Sequence, residues 1–123
     1  MSLQEIHQYF RSPHPIYLGK EVATCYILCI LIEEGDSYAK ALMELIEANY
    51  SPHCVSDTVL YGALTFLTNE GFILSYWQNK PGKGRPRRMY SVKPEKLDEA
   101  RRLAQLWHQF LGDDHESDPV NLS

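Results

Sequence analysis

The sequence predicts a mainly α domain with one small β-hairpin, in the order of a winged helix-turn-helix followed by a C-terminal dimerisation helix. Three observations carry this expectation. Helical patterns succeed one another between residues 20 and 69. Two short stretches rich in aromatic and β-branched residues then flank residues 79–88, NKPGKGRPRR, a connection broken by Gly and Pro. A long amphipathic stretch opening on Pro94 completes the order.

At 123 residues the chain is one domain's worth, long enough to bury a core without disulfide staples. Its 44% hydrophobic and 23% charged residues are ordinary for a globular protein and exclude collagenous or wholly disordered classes. The longest apolar run, residues 25–32, has eight residues. A bilayer span needs about 20. The first residues, MSLQEIHQYFRSPHP, lack the charged start, apolar middle and cleavage site of a secretory signal, so a cytoplasmic protein is expected. Cys25, Cys29 and Cys54 are odd in number and have no framework spacing. Cys25 and Cys29 share a helix face, but no His stands near them in sequence. They are read as small buried apolar residues, with no metal or cofactor expected.

Residues 3–10 place Leu3, Ile6, Tyr9 and Phe10 along one side of a short helix ended by Pro13 and Pro15. With the connection through Gly19 they form an N-terminal unit, residues 1–19. So short a helix needs a surface to dock on, in the core or on a second subunit. Residues 20–34 hold the apolar run, whose periodicity alone does not separate helix from buried strand. Glu21 and Ala23 disfavour a strand, and Gly35 stands where a C-cap glycine belongs, so a central, enclosed helix is expected. Asp36 or Ser37 is the expected N-cap of the next helix, in which Tyr38, Ala41, Leu42, Leu45 and Ile46 repeat at helical spacing and Pro52 blocks continuation.

Residues 55–69 follow, with Ser56 as N-cap, an apolar stripe of Leu60, Ala63, Leu64 and Leu67, and Gly71 as the stop. The opposite face carries Asp57, Thr58, Tyr61, Gly62, Thr65 and Thr68. Hydroxyl groups can bond phosphates or base edges, and a mid-helix Gly, which costs about 1 kcal/mol against Ala, lets a backbone approach a surface closely. A weakly polar solvated face is the plainer reading, and Asp57 opposes DNA unless it is occupied at the helix N-terminus. Residues 72–78 and 87–93 read as strands. Between them, with its last residues running into the second strand, the basic stretch 79–88 carries Lys80, Lys83, Arg85, Arg87 and Arg88 and no acid, so the rest of a chain of net charge −4 sums to −9. Concentrated cations on a projecting arm suit a polyanion. From residue 94 to 111 the set Leu97, Ala100, Ala104, Trp107 and Leu111 repeats at coiled-coil spacing, with Leu103, Leu106 and Phe110 beside it. A dimerisation helix over residues 94–112 is expected, with simple packing on the domain as the alternative. Residues 113–123 are acidic and expected to be disordered.

No HExxH, GxSxG, Walker A or GxGxxG pattern occurs, and the five histidines are scattered, so no enzyme is expected. A winged helix in residues 20–93 puts the hydroxyl-faced helix and the cationic arm on one surface.

Residues 27–90 resemble the PadR family of winged-helix transcriptional regulators. The resemblance rests on ILCILIEEGDSYAKALMELI, on TVLYGALTFLTNEGFI and on KGRPRRMYSV. It implies a homodimer joined through the C-terminal helix and the N-terminal segment, binding a palindromic operator in double-stranded DNA, usually as a repressor. It implies DNA contacts from Thr58 and Tyr61 on the helix and from Lys83, Arg85 and Arg87 in the wing. Ser56, Thr65, Lys80 and Arg88 complete the candidate set by position. Lys93 stands where the family often has Thr, and the single short terminal helix leaves little room for an effector pocket, so no small-molecule effector is expected. The rival reading is a winged-helix module that binds another protein and not DNA.

Overall fold

The computed structural model describes residues 1–11, 14–79 and 84–116. In chain order the elements are α1 (Leu3–Arg11), β1 (Ile16–Tyr17), α2 (Lys20–Glu34), α3 (Ala39–Asn49), β2 (His53–Cys54), α4 (Asp57–Asn69), β3 (Ile73–Gln78), β4 (Arg87–Val92), a short 3-10 turn (Pro94–Lys96) and α5 (Leu97–Glu116). The winged-helix order is therefore present: α2, α3 and α4, then an antiparallel hairpin running in register from Ile73↔Val92 to Gln78↔Arg87.

The apolar run is a helix, and it is the centre of the molecule. Tyr26, Ile27, Leu28, Cys29, Ile30 and Leu31 are all buried, which on a helix means cover on every side. Helices α4 and α5 and strand β4 supply that cover. Gly35 ends α2 at φ +94°, a backbone conformation open to glycine and strained for other residues. The Tyr26 hydroxyl donates to the Leu42 carbonyl at 2.7 Å, tying α2 to α3 inside the core.

Helix α3 departs from expectation at its start. Tyr38 is its N-cap, without a side-chain cap bond, and neither Asp36 nor Ser37 caps it. Both are engaged with the wing. Ser37 pairs with Tyr90 through both backbone groups, at 3.2 and 2.8 Å, and Asp36 accepts the Tyr76 hydroxyl at 2.6 Å. In the connection that ends at Gly19 a short parallel two-strand ladder forms, Ile16 pairing with His53 and Tyr17 with Cys54. That ladder ties the N-terminal unit to the turn between α3 and α4.

Helix α5 packs on its own chain. The stripe at coiled-coil spacing faces α2 of the same chain: Ala100, Ala104 and Trp107 are buried, while Leu97 and Leu111 are partly covered. Within this chain Ala100, Ala104 and Trp107 are core, as in the alternative of packing on the domain, and Leu97 and Leu111 stay partly open at the two ends of the stripe. The two alanines let the helices approach closely, and Trp107 fills the end of the interface with its ring 5.1 Å from Tyr26, 5.3 Å from Tyr50 and 5.7 Å from Phe110. Spacings of three and four describe any helix buried along one side, and they do not specify whose surface covers it. The helix also passes Gly112, its expected end, and continues to Glu116. The rest of the acidic tail expected to be disordered, residues 117–123, lies outside the described residues.

Removing the Trp107 side chain should cost about 3–5 kcal/mol, the usual range for a buried Trp. Leu106→Ala, on the exposed flank of α5, should cost under about 1 kcal/mol. Urea unfolding at two protein concentrations checks both. A Trp107→Ala loss that appeared only at the lower concentration would return the residue to an intersubunit seam.

Candidate nucleic-acid interface

Helix α4 is set by its cap and its stripe. The Ser56 Oγ accepts the Val59 N–H at 3.2 Å, and Leu60, Ala63, Leu64 and Leu67 turn into the core. The rest of the helix is thereby forced outward, so that Thr58, Tyr61, Gly62, Thr65 and Asn69 are exposed along one side. Thr68 is partly covered, and its hydroxyl donates back to the Leu64 carbonyl at 2.8 Å. Asp57 is the first residue of the helix and adds negative charge where the macrodipole favours it. Nothing in the chain requires Gly62, because no neighbour lies within 4 Å of where a Cβ would sit.

The wing brings cations to the same side. Arg87 lies over the Tyr38 ring with its guanidinium carbon 3.9 Å from the centroid, a cation–π contact that holds the side chain against the start of α3. Arg88 donates to Ser75 Oγ at 3.0 Å and stands 5.9 Å from the rings of both Trp77 and Tyr90. Burial pushes the Tyr90 phenol up, with Arg88 pulling the other way. The Tyr76 phenol is pushed up chiefly by its hydrogen bond to Asp36.

Between helix and wing runs an open groove of about 540 Å³, lined among others by Tyr38, Lys40, Tyr61, Thr65, Arg87 and Arg88. Four of the residues singled out in the sequence, Tyr61, Thr65, Arg87 and Arg88, are thus brought together. Ser56, Thr58 and Arg85 are not among the groove's lining, and Ser56 is committed to its cap. Lys80 and Lys83 lie outside the described residues. Sequence reasoning missed Tyr38, Lys40 and Trp77. Trp77 is 67% exposed beside the basic connection, and an aromatic directly before a cation cluster was the available signal. The arrangement offers hydroxyls and fixed guanidinium groups on one concave face, a combination suited to phosphates and base edges. Helix α4, at 13 residues about 20 Å long, has the roughly 10–12 Å diameter that a major groove about 12 Å wide admits.

The model of the transcriptional regulator PadR-like family matches residues 27–95, from the middle of α2 through the wing to the 3-10 turn before α5. The chain belongs to the PadR-like family. Among solved PadR-like folds it is similar to the circadian clock associated protein Pex from Anabaena, at 43% identity, with 94% of this chain and 99% of that chain covered and a TM-score of 0.82. It is similar too to Pex from Synechococcus sp., at 44% identity over 90% of this chain and 98% of that one, TM-score 0.80. A transcriptional regulator from Clostridium thermocellum shares 26% identity over 79% and 92% of the two chains, TM-score 0.59. No curated protein sequence matches the chain. This PadR-like chain therefore has the architecture of a winged-helix transcriptional regulator, and no helix among its described residues is long and apolar enough to cross a membrane.

Two substitutions on α4 should move stability in opposite directions. Ser56→Ala should cost about 1 kcal/mol by loss of the cap. Gly62→Ala, in open space on a regular helix, should add roughly 0.5–1 kcal/mol. Shifts in the urea midpoint at constant slope check both.

Proposed function

We propose that the protein is a homodimeric, sequence-specific DNA-binding repressor that reads a palindromic operator. The observation that carries this reading is the groove in which Tyr61 and Thr65 of α4 face Arg87 and Arg88 of the wing, in a chain that is otherwise acidic. Helix α4 enters the major groove, where Thr58, Tyr61 and Thr65 meet base edges and Gly62 lets the backbone come near. The wing supplies phosphate contacts from Arg85, Arg87 and Arg88, and from Lys80 and Lys83 in its connection. Arg87 reaches the phosphates already oriented on Tyr38. Binding takes place in the cytoplasm, and no small-molecule effector is needed. The likeness to two Pex proteins, one described as circadian clock associated, supports a clock gene as the repressed target.

The dimer rests on α1. Its stripe is exposed, with Leu3 77% and Phe10 75% accessible alongside Tyr9 and Ile6, and none of its residues is buried within the chain. A nine-residue helix is too short to persist in water on its own, so its apolar side needs cover. A second copy provides it, with the exposed Leu106 of α5 as the remaining apolar contribution from the terminal helix. The competing reading, a module that binds protein instead of DNA, is favoured by the exposure of Trp77 at the edge of the wing.

Selection from random DNA should return a palindrome. Affinity should fall with salt at a log–log slope of about −0.9 per neutralised phosphate, and Arg85→Gln with Arg87→Gln should flatten it by about that amount for each phosphate left unpaired. Gly62→Ala should weaken operator binding while raising stability. Retention of DNA that ignored salt and both arginines, or no retention at low salt, would leave the protein-binding module standing. For the dimer, Leu3→Glu and Phe10→Glu should each shift the sedimenting species from dimer to monomer, and an unchanged species would rule out assembly through α1.

A further inference from the structure

Away from the groove, where α5 crosses α2, three metal-ligating side chains converge. The Cys29 Sγ lies 3.3 Å from His108 Nε2, and that same nitrogen lies 2.9 Å from Glu33 Oε2. All three atoms fall within 4.8 Å of one another. We propose that Cys29, Glu33 and His108 form a binding site for a divalent transition metal of the zinc class.

The placement is built into the fold. Cys29 and Glu33 are one helical turn apart and share a face of α2. His108 is delivered by α5, whose position is fixed next door by Ala100, Ala104 and Trp107 in the core. The three ligands therefore stand on two packed helices and none on a loop, the arrangement that holds a donor set in place. A single ring nitrogen carries at most one hydrogen, so Nε2–H can serve the Glu33 carboxylate while the Cys29 thiol uses a hydrogen of its own. A cation between the three atoms would take the place of both hydrogens. With zinc bonds of about 2.0–2.3 Å, tetrahedral ligand atoms stand roughly 3.3–3.7 Å apart. The observed separations of 2.9 and 3.3 Å are within small side-chain rotations of that.

The donor chemistry selects the metal. Thiolate, imidazole and carboxylate suit zinc or cobalt, whereas magnesium and calcium prefer oxygen alone. Cys29 is buried, while the side chains of Glu33 and His108 are about half exposed. The site is closed on the core side and open to solvent on the other, giving an entry path and a fourth position for water. Burial, then the Glu33 charge, pushes the Cys29 thiol up to about 12. A bound metal joins the middle of α5 to the end of α2. In the sequence Cys29 and His108 are 79 positions apart, which is why no ligand spacing was visible.

Cobalt(II) is the probe. The full chain, stripped with a chelator and kept reduced by a phosphine, should bind one equivalent with a thiolate-to-cobalt charge-transfer band and the visible absorption of a tetrahedral site. Zinc should displace both signals. His108→Ala and Glu33→Gln, at exposed positions that leave the core intact, should each weaken binding at least about tenfold, and Cys29→Ser should abolish the charge-transfer band. Absence of that band at millimolar cobalt overturns the proposal. So does a band that survives Cys29→Ser, which assigns it to another thiol, or an affinity unchanged in both His108→Ala and Glu33→Gln.

Discussion

A helix that is apolar on every side has to be covered on every side, and the fold is the enclosure of α2. Full burial of each large side chain contributes roughly 1.5–3 kcal/mol, and Tyr26, Ile27, Leu28 and their neighbours are buried together. Helix α4 can present its hydroxyl side outward because Leu60, Ala63, Leu64 and Leu67 are held inward against α2. Strand β4 leans on the same helix, and that packing fixes the base of the wing. The candidate DNA surface is thus the outer side of the structure that encloses α2.

The charge distribution raises an apparent conflict. Outside the basic connection the chain sums to −9, which repels a polyanion. At physiological salt, however, the screening length is about 8 Å. Acids farther than that from a bound duplex are damped, while the guanidinium groups of Arg87 and Arg88 in the groove would meet its phosphates at bonding distance. The local term wins for a docked complex, and the net charge acts mainly against loose, non-specific association. In the proposed complex specificity would then depend on α4, because phosphate contacts orient a protein on DNA without reading its sequence.

The elements legible in the sequence were those whose signal is local. Period marked α3 and α4, Ser56 announced its cap, and β-rich runs around NKPGKGRPRR indicated the hairpin. What stayed hidden was the choice of partner. The stripe Leu97, Ala100, Ala104, Trp107 and Leu111 was correctly seen as apolar, yet spacing cannot distinguish a neighbour in the same chain from one in another. Ser37 had the side chain of a good N-cap and instead pairs with Tyr90, because the sheet needed its backbone. Tyr38 looked like a core position and instead supports Arg87, 49 residues later. Part of the candidate site was readable as composition, and its geometry depended on approaches between residues far apart in the chain.

The use of α5 by its own core narrows the ways in which two copies can associate. With Ala100, Ala104 and Trp107 committed to α2, the terminal helix offers a partner mainly its outer flank at Leu106. The larger unclaimed apolar surface is on α1, which the β1–β2 ladder ties to the turn directly before α4. In the proposed dimer the interface between copies is therefore linked to the recognition helix through a short, hydrogen-bonded path. The separation of the two α4 helices, and with it the spacing of operator half-sites, would be set by the N-terminal segment more than by the terminal helix.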